Sequence, residues 1–219
     1  MLKPLPREEV NRKLLHGLVV IFPLGVFYGP HLFSLEYSSL ALVTFLLLVF
    51  SSVVELLRLK NDSFGQWFYS TFGSMLREEE RKNFTGATYV AGAIFLCAWM
   101  STISPKFSAC ACFSLTLFIL GDAAAALIGK SLGRISIGKK TVEGAVGCFI
   151  VSFLFAYFAF PQLPNFLEKW GGEMSFFQAC VVGLSISLLE LFPAKIGRFK
   201  LNDNLYVPVL VTYIAFFIC

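Results

Sequence analysis

Residues 107–144 read FSACACFSLTLFILGDAAAALIGKSLGRISIGKKTVEG, and they lead from an apolar run into a loop of glycine and basic residues. The apolar part predicts a membrane-spanning helix, and Asp122 lies inside it. An ionisable residue near the centre of such a helix costs about 2.5–3.5 kcal/mol on insertion scales, so Asp122 is a candidate functional residue. Small residues follow Asp122 on the same helical face, one turn apart: Ala126, Gly129 and Gly133.

The loop after this helix adds positive charge and a second acid. The charged residues are Lys130, Arg134, Lys139, Lys140 and Glu143. A carboxylate can hold a divalent metal, glycines let a polyphosphate approach the backbone, and basic side chains neutralise it. Together these residue types predict a nucleotide site at a membrane surface.

The composition of the whole chain places this stretch in a membrane protein. Of the 219 residues, 57% are hydrophobic and 15% are charged, which is typical of multi-span helical proteins. A span needs roughly 20 apolar residues. We therefore predict an all-α, polytopic membrane protein, with a single integral-membrane domain over residues 1–219 and about seven transmembrane helices. The predicted spans are 14–30, 38–57, 86–104, 107–128, 144–161, 175–192 and 203–219.

The basic residues predict the orientation of these spans. All 18 Lys and Arg residues except Lys106 and Lys169 fall on the side of the N-terminus, Lys3 and Arg198 among them. By the positive-inside rule the N-terminus and the loop 121–144 are cytoplasmic, so we expect the active site to face the cytosol. The net charge of +4 then reflects topology and anionic lipid, and we expect no nucleic-acid partner.

The segment 62–85 is polar and aromatic, and it predicts one interfacial amphipathic helix that carries Trp67, Phe68, Tyr69 and Phe72. Its acidic run, 78–80, is typical of a solvated face, and Arg77 beside it is a candidate phosphate contact. Just before this segment, Glu55 and Arg58 have the spacing of an i,i+3 ion pair.

Polar residues open the first span. Arg12 and His16 are one helical turn apart, and Lys13 lies beside Arg12. Two interpretations fit Arg12 and Lys13 equally well. They are either functional residues or anchors whose side chains extend to the membrane interface. A histidine just inside a span favours a functional role for His16.

Two carboxylates from later spans fall on the same predicted side as Asp122. Glu190 lies near the end of the sixth span, and Asp203 stands in Asn202-Asp203-Asn204 before the seventh. The latter group is also typical of a helix N-cap. Either carboxylate could be a second metal ligand beside Asp122, and hard oxygen donors favour Mg²⁺.

The six cysteines all lie in apolar spans or at the end of one, and none forms a CxxC pair. This pattern indicates neither a disulfide framework nor a zinc site.

The motif G-D-x-x-A-x-x-x-G-x-x-x-G followed by K-K-T-x-E-G resembles the nucleotide-site region of the CTP-dependent polyprenol, phytol and diacylglycerol kinases. The opening R-K-x-x-H and the late D-N-x-x-x-P are similar to the same family. The residues that match the central motif are Gly121, Asp122, Ala125, Gly129, Gly133, Lys139, Lys140, Thr141, Glu143 and Gly144.

The resemblance implies transfer of the γ-phosphoryl group of CTP to a membrane lipid alcohol. Asp122 would bind Mg²⁺ together with Asp203 or Glu190, and Arg12 and Lys13 would contact the transferring phosphate. His16 or a carboxylate would take the alcohol proton. The implied nucleotide-binding residues are Lys130, Lys139 and Lys140 with Gly121, Gly129, Gly133, Thr141, Glu143 and Gly144.

Two alternatives stay open. The central motif is also similar to that of phosphatidate cytidylyltransferases, although the H-G-G-x-x-D-R string of that family is absent from this sequence. The intramembrane acids Asp122, Glu55 and Glu190 are compatible with a small, non-enzymatic transporter. The sequence leaves open the acceptor lipid and the oligomeric state.

Overall fold

The computed structural model describes residues 7–197 and 199–219, so Lys3 and Arg198 lie outside the described residues. The described chain is mainly α-helical. Its α-helices are α1 (Arg7–Leu18), α2 (Ile21–Phe33), α3 (Tyr37–Lys60), α4 (Asp62–Phe72), α5 (Gly86–Ser101), α6 (Pro105–Leu132), α7 (Val142–Leu154), α8 (Phe166–Trp170), α9 (Phe176–Leu191) and α10 (Asp203–Ile218). A π-helical turn, Phe155–Ala159, and a 3₁₀ turn, Phe160–Gln162, continue α7.

Four helical segments of the described chain are long and apolar enough to cross a membrane: Arg12–Phe33, Tyr37–Lys60, Pro105–Leu132 and Val142–Gln162. They coincide with four of the seven predicted spans. The other three predicted spans correspond to α5, α9 and α10, which are apolar but have only 16 residues each. At 1.5 Å per residue such a helix is about 24 Å long, somewhat less than a typical hydrocarbon core.

The first predicted span contains a break. The backbone turns at residues 19 and 20, where Val19 N–H donates to His16 O and Val20 N–H donates to Gly17 O, each at 3.1 Å. Pro23 explains the break, because in a continuous helix its ring would clash with the carbonyl group four residues earlier. This turn separates α1 from α2 within the segment.

Short hairpins interrupt the all-α pattern at two places in the described chain. Strand β1 (Ser136–Ile137) pairs antiparallel with β2 (Lys140–Thr141), and β3 (Lys195–Ile196) pairs with β4 (Phe199–Lys200). Each hairpin turns at a glycine with positive φ, Gly138 and Gly197. The prediction of helices alone missed both hairpins, and the first of them carries Lys139 at its tip.

Helix α6 lies at the centre of the fold and is buried along most of its length. Its first half is rich in small residues, including Ala109, Cys110 and Ala111, which lets α5, α7 and α10 approach closely. Helix α3 lies at the periphery, where Phe45, Leu46 and other large apolar side chains are exposed.

The segment predicted as one interfacial helix folds as α4 followed by two 3₁₀ turns, Gly73–Met75 and Glu78–Arg81. Within α3, Arg58 and Glu55 form a buried ion pair, which confirms the predicted i,i+3 pair, and both side chains also hold the segment that follows α4. The Arg58 guanidinium also donates to Glu80 O at 2.9 Å and Asn83 O at 2.8 Å, and the Thr85 hydroxyl donates to Glu55 at 2.6 Å. Glu55 and Arg58 thus fix the path of residues 80–85.

We expect Arg58→Met to lower the free energy of unfolding by about 3–5 kcal/mol, because it leaves the Glu55 carboxylate buried without a counter-charge. The matched control is Arg81→Met, whose i,i+3 partner Glu78 is exposed, and here the change should stay within about 0.5 kcal/mol. Urea titration of both variants in detergent micelles measures the difference. Equal effects would contradict a special role for the buried pair.

Candidate functional site

A polar cavity and an apolar cavity meet at one end of the helices. The polar cavity has a volume of about 700 Å³ and is lined by α6, the β1–β2 hairpin, α9 and the start of α10. The apolar cavity has a volume of about 510 Å³ and lies among α1, α3, α4 and α5. Both volumes fall in the range of small-molecule sites, about 300–1,000 Å³. The residues that line both cavities are Arg12, Met75, Leu76, Arg77 and Asp122.

Asp122 stands in the wall that the cavities share. Its carboxylate forms a buried ion pair with the Lys13 ammonium, which links α6 to α1. The His16 Nε2 atom lies 3.4 Å from Asp122 Oδ2. This geometry does not make a hydrogen bond, so Nε2 is buried without a partner among the described groups. The structure therefore brings Lys13 and His16 of α1 next to Asp122 of α6, with Arg12 in the shared wall, a set of contacts that the sequence did not predict.

Lys140 joins the other two predicted carboxylates. Its Nζ atom donates to Glu190 Oε1 at 2.9 Å and to Asp203 Oδ2 at 3.0 Å. Burial alone would lower the pKa of the Lys140 ammonium, but the neighbouring carboxylates of Glu190 and Asp203 outweigh it and raise this pKa above its ordinary value. Lys140 is therefore charged throughout the neutral range and acts as a shared counter-ion.

The three carboxylates Asp122, Glu190 and Asp203 all line the polar cavity. Within residues 7–197 and 199–219, however, no three His, Cys, Asp or Glu side chains are grouped closely enough to hold a metal ion. Lysines neutralise these acids instead. The donor set still suits a hard cation such as Mg²⁺, because all donors are oxygens and Glu190 Oε2 is buried with no hydrogen-bond partner in the part of the chain that the structure describes.

Basic residues surround the opening of the polar cavity. Lys130 and Lys139 line it, while Arg134 is exposed. At the hairpin tip, the Lys139 ammonium pairs with the Glu79 carboxylate of the 3₁₀ turn, and both side chains are largely exposed. This contact places the acidic run 78–80 opposite the hairpin. The interpretation of the run as a solvated face did not predict a contact with Lys139.

The motif glycines differ in position. Gly129 and Gly144 line the polar cavity and face each other across α6 and α7. A Cβ atom on Gly129 would lie 2.7 Å from Thr141 Oγ1, and one on Gly144 would lie 2.7 Å from Ala125 O. A Cβ atom on Gly121 would contact Cys148 Sγ and Ser152 Oγ at 2.8 Å, inside the helix packing. These glycines permit close approach of helices as well as access to the cavity.

The remaining motif residues shape the turn between α6 and α7. Gly133 terminates α6, and its N–H donates to Gly129 O. The Thr141 hydroxyl caps α7 by accepting from Gly144 N–H at 3.1 Å, and it also lines the polar cavity. The Glu143 carboxylate accepts from Ile135 N–H at 3.2 Å and thereby closes the loop.

Some cavity residues were not predicted from the sequence. Tyr89 of α5 and Ser187 of α9 line the polar cavity, and Thr85 lines the apolar one. Their positions within apolar helices or beside helix starts gave no signal of a site, since such residues are usually caps or packing groups. Arg77, a candidate phosphate contact, does lie in the shared wall.

We expect Gly129→Ala to lower the free energy of unfolding by about 1–3 kcal/mol, because the added methyl group has no room beside Thr141. Gly25→Ala is the control, since nothing lies within 4 Å of a Cβ atom there and alanine is the better helix former. Denaturant titration in micelles measures both variants. A neutral Gly129→Ala would show that α6 and the hairpin separate easily.

Comparisons with known proteins show one relative of unknown activity. An uncharacterized protein of Rickettsia prowazekii (strain Madrid E) is 22% identical over 204 residues, which cover 92% of this chain and 90% of that protein. No protein-family model matches the chain, and no solved structure matches it.

Proposed function

We propose that this protein transfers the γ-phosphoryl group of CTP to the hydroxyl group of a membrane lipid alcohol, such as a polyprenol, phytol or diacylglycerol. The observation that supports the proposal is the shared wall of the cavities. A charged nucleotide suits the polar cavity, an apolar lipid chain suits the other, and both reach Asp122, Arg12 and Arg77. The choice of CTP follows the motif resemblance.

The proposed membrane arrangement has seven spans, including α5, α9 and α10, with α4 at the interface and the N-terminus in the cytoplasm. The positions of the charges support it. The residues around the polar cavity come from the ends of α6 and α9 and the start of α10. Lys106 and Lys169 lie at the opposite end, where Lys169 Nζ contacts Tyr37 Oη at 3.2 Å. The polar cavity would then open to the cytosol, where nucleotides are found.

Phosphoryl transfer requires mainly positioning and neutralisation of charge. Lys130, Lys139 and Lys140 would hold the triphosphate, and Arg12 and Arg77 would stabilise the transferring group at the shared wall. Bound Mg²⁺ would supply further charge neutralisation, with Asp122, Glu190 and Asp203 as the oxygen donors.

His16 is the proposed general base. It lines the apolar cavity, where the lipid hydroxyl would lie, and its buried Nε2 atom has no hydrogen-bond partner in the described chain. The neighbouring Asp122 carboxylate would stabilise the imidazolium that forms when His16 accepts the proton.

The reaction is tested with purified protein in mixed micelles, Mg²⁺, a panel of lipid alcohols and phosphatidic acid, and CTP labelled at the α or the γ phosphorus. We expect γ label in a lipid monophosphate, with the labelled alcohol identifying the substrate. Label from the α position alone would establish cytidylyl transfer to phosphatidic acid instead. No label in any lipid would favour a non-enzymatic role such as transport.

Asp122→Asn should lower kcat by at least about 100-fold, the usual effect of removing an electrostatic stabiliser. Asp62→Asn is the matched control, because Asp62 is exposed at the start of α4 and should retain full activity. Since Asp122→Asn leaves Lys13 buried without its partner, the thermal unfolding midpoint of the variant is measured beside its activity to test whether misfolding explains the loss. A folded, fully active Asp122→Asn protein would disprove the role of Asp122.

Each cavity can be filled separately. Ala91→Phe adds bulk to the apolar cavity and should raise the KM for the lipid at least tenfold, or about 1.4 kcal/mol, without changing the KM for CTP. Ala126→Phe adds the same bulk to the polar cavity and should affect CTP alone. Steady-state kinetics with each substrate varied measures the pair. Equal effects of both variants on both substrates would contradict the separate binding sites.

A further inference from the structure

Cys110 and Cys219 come together far from the polar cavity. Cys110 lies near the start of α6, and Cys219 follows the last residue of α10. Their Sγ atoms are 3.6 Å apart although 109 positions separate them in the chain. The sequence showed no cysteine pattern that would predict this contact, because the pairing arises only when α6 and α10 pack side by side.

Several contacts hold these helix ends in register. The Phe107 and Phe216 rings stack with centroids 3.9 Å apart and planes within 5° of parallel. Lys106 Nζ donates to the main-chain oxygen of Cys219 at 2.7 Å, and Gln178 Nε2 donates to Ile218 O at 2.7 Å. The two thiols therefore approach within an otherwise well-packed region.

We propose that Cys110 and Cys219 form a disulfide bond when the protein meets a disulfide-bearing oxidant, either a small molecule or a protein. A disulfide has an S–S bond of about 2.05 Å, so the sulfur atoms must approach by roughly 1.5 Å. The proposal requires rotation of the two side chains to supply this movement.

The reaction is a pair of thiol–disulfide exchanges. Cys219 is the more exposed thiol, so it loses its proton and attacks the oxidant, forming a mixed disulfide and releasing one thiolate. Cys110 then loses its proton and attacks the Cys219 sulfur, which expels the second thiolate of the oxidant. Two protein thiols are oxidised by two electrons in total, one external disulfide is reduced to two thiols, and no other reactant is needed.

The surroundings of the pair favour this exchange over oxidation of other cysteines. The Lys106 ammonium lies beside Cys219, and a nearby cation stabilises the reactive thiolate. Cys97 is fully buried and its thiol contacts the Thr212 hydroxyl at 3.5 Å. Cys148 is fully buried beneath Gly121. Cys110 is buried to the same degree, so its position 3.6 Å from the partly exposed Cys219 thiol is what favours this pairing.

The bond would connect two helices that also carry predicted site residues. Asp122 lies toward the other end of α6, and Asp203 begins α10. A disulfide that closes a loop of more than 100 residues restricts the unfolded chain strongly. We therefore expect it to stabilise the packing of α6 on α10, whatever reaction the polar cavity supports.

The test uses the full-length protein in micelles, treated with oxidised glutathione and then alkylated, digested without reductant and analysed by mass spectrometry. We expect a linked peptide pair that contains Cys110 and Cys219, with two of the six cysteines protected from alkylation. Alkylation of all six cysteines, or a linked pair of other cysteines, would overturn the proposal. The wild-type measurement decides this point without any variant.

A stability measurement provides the second readout. Reductant should lower the midpoint of thermal unfolding of the oxidised wild-type protein by several degrees, and it should not change the midpoint of Cys219→Ser. Cys180→Ser is the matched control, because Cys180 lies on α9 and is also partly exposed, and it should respond to reductant as the wild-type protein does. If the oxidised protein contains the Cys110–Cys219 bond but reductant does not change its thermal unfolding midpoint, the stabilising role is disproved.

Discussion

The buried ion pair between Lys13 and Asp122 determines how α1 is placed against α6, and both cavities depend on that placement. Helix α1 is short and exposes Leu14, Leu15 and Leu18, so apolar packing alone would leave its rotation poorly defined. An unpaired carboxylate within a helix at membrane depth is costly, and the charge of Lys13 removes that cost only in one orientation. Once Lys13 points at Asp122, helical geometry directs His16 toward the same carboxylate and Arg12 into the shared wall.

A second lysine extends the same principle to the polar cavity. Lys140 neutralises Glu190 and Asp203 at once, so both acids predicted as metal ligands are held in salt bridges. In the proposed reaction, a triphosphate would offer Lys140 an alternative anionic partner and release carboxylate oxygens toward a cation. Binding of nucleotide and metal would then be coupled. The triphosphate would draw away the Lys140 charge that repels a cation, and the cation would neutralise the carboxylates that repel the triphosphate.

The sequence predicted those features that depend on local composition or spacing. Apolar runs located the helices to within a few residues, the i,i+3 spacing predicted the Glu55–Arg58 pair, and Asn202 caps α10 as its position suggested. The pairing of Lys13 with Asp122 spans 109 positions, so no periodicity could reveal it. The hairpin strands have two residues each and are too short for an alternating pattern. The contact between Cys110 and Cys219 depends on the packing of α6 with α10, which the sequence does not encode locally.

The 3₁₀ turn Glu78–Arg81 lies between the two cavities. It is bonded to α3 on the side of the apolar cavity and to the β1–β2 hairpin on the side of the polar cavity, and these two contacts differ in strength. On one side, Arg58 donates to Glu80 O while it forms the buried pair with Glu55, and breaking this attachment to α3 would disturb a buried charge pair. On the other side, Glu79 meets Lys139 through an exposed ion pair, a type worth only about 0–1 kcal/mol. Phosphate groups entering the polar cavity would compete with Glu79 for Lys139 at little energetic cost. The turn would then stay attached to α3 beside the apolar cavity, while the Glu79–Lys139 contact with the hairpin is replaced by a contact between Lys139 and phosphate.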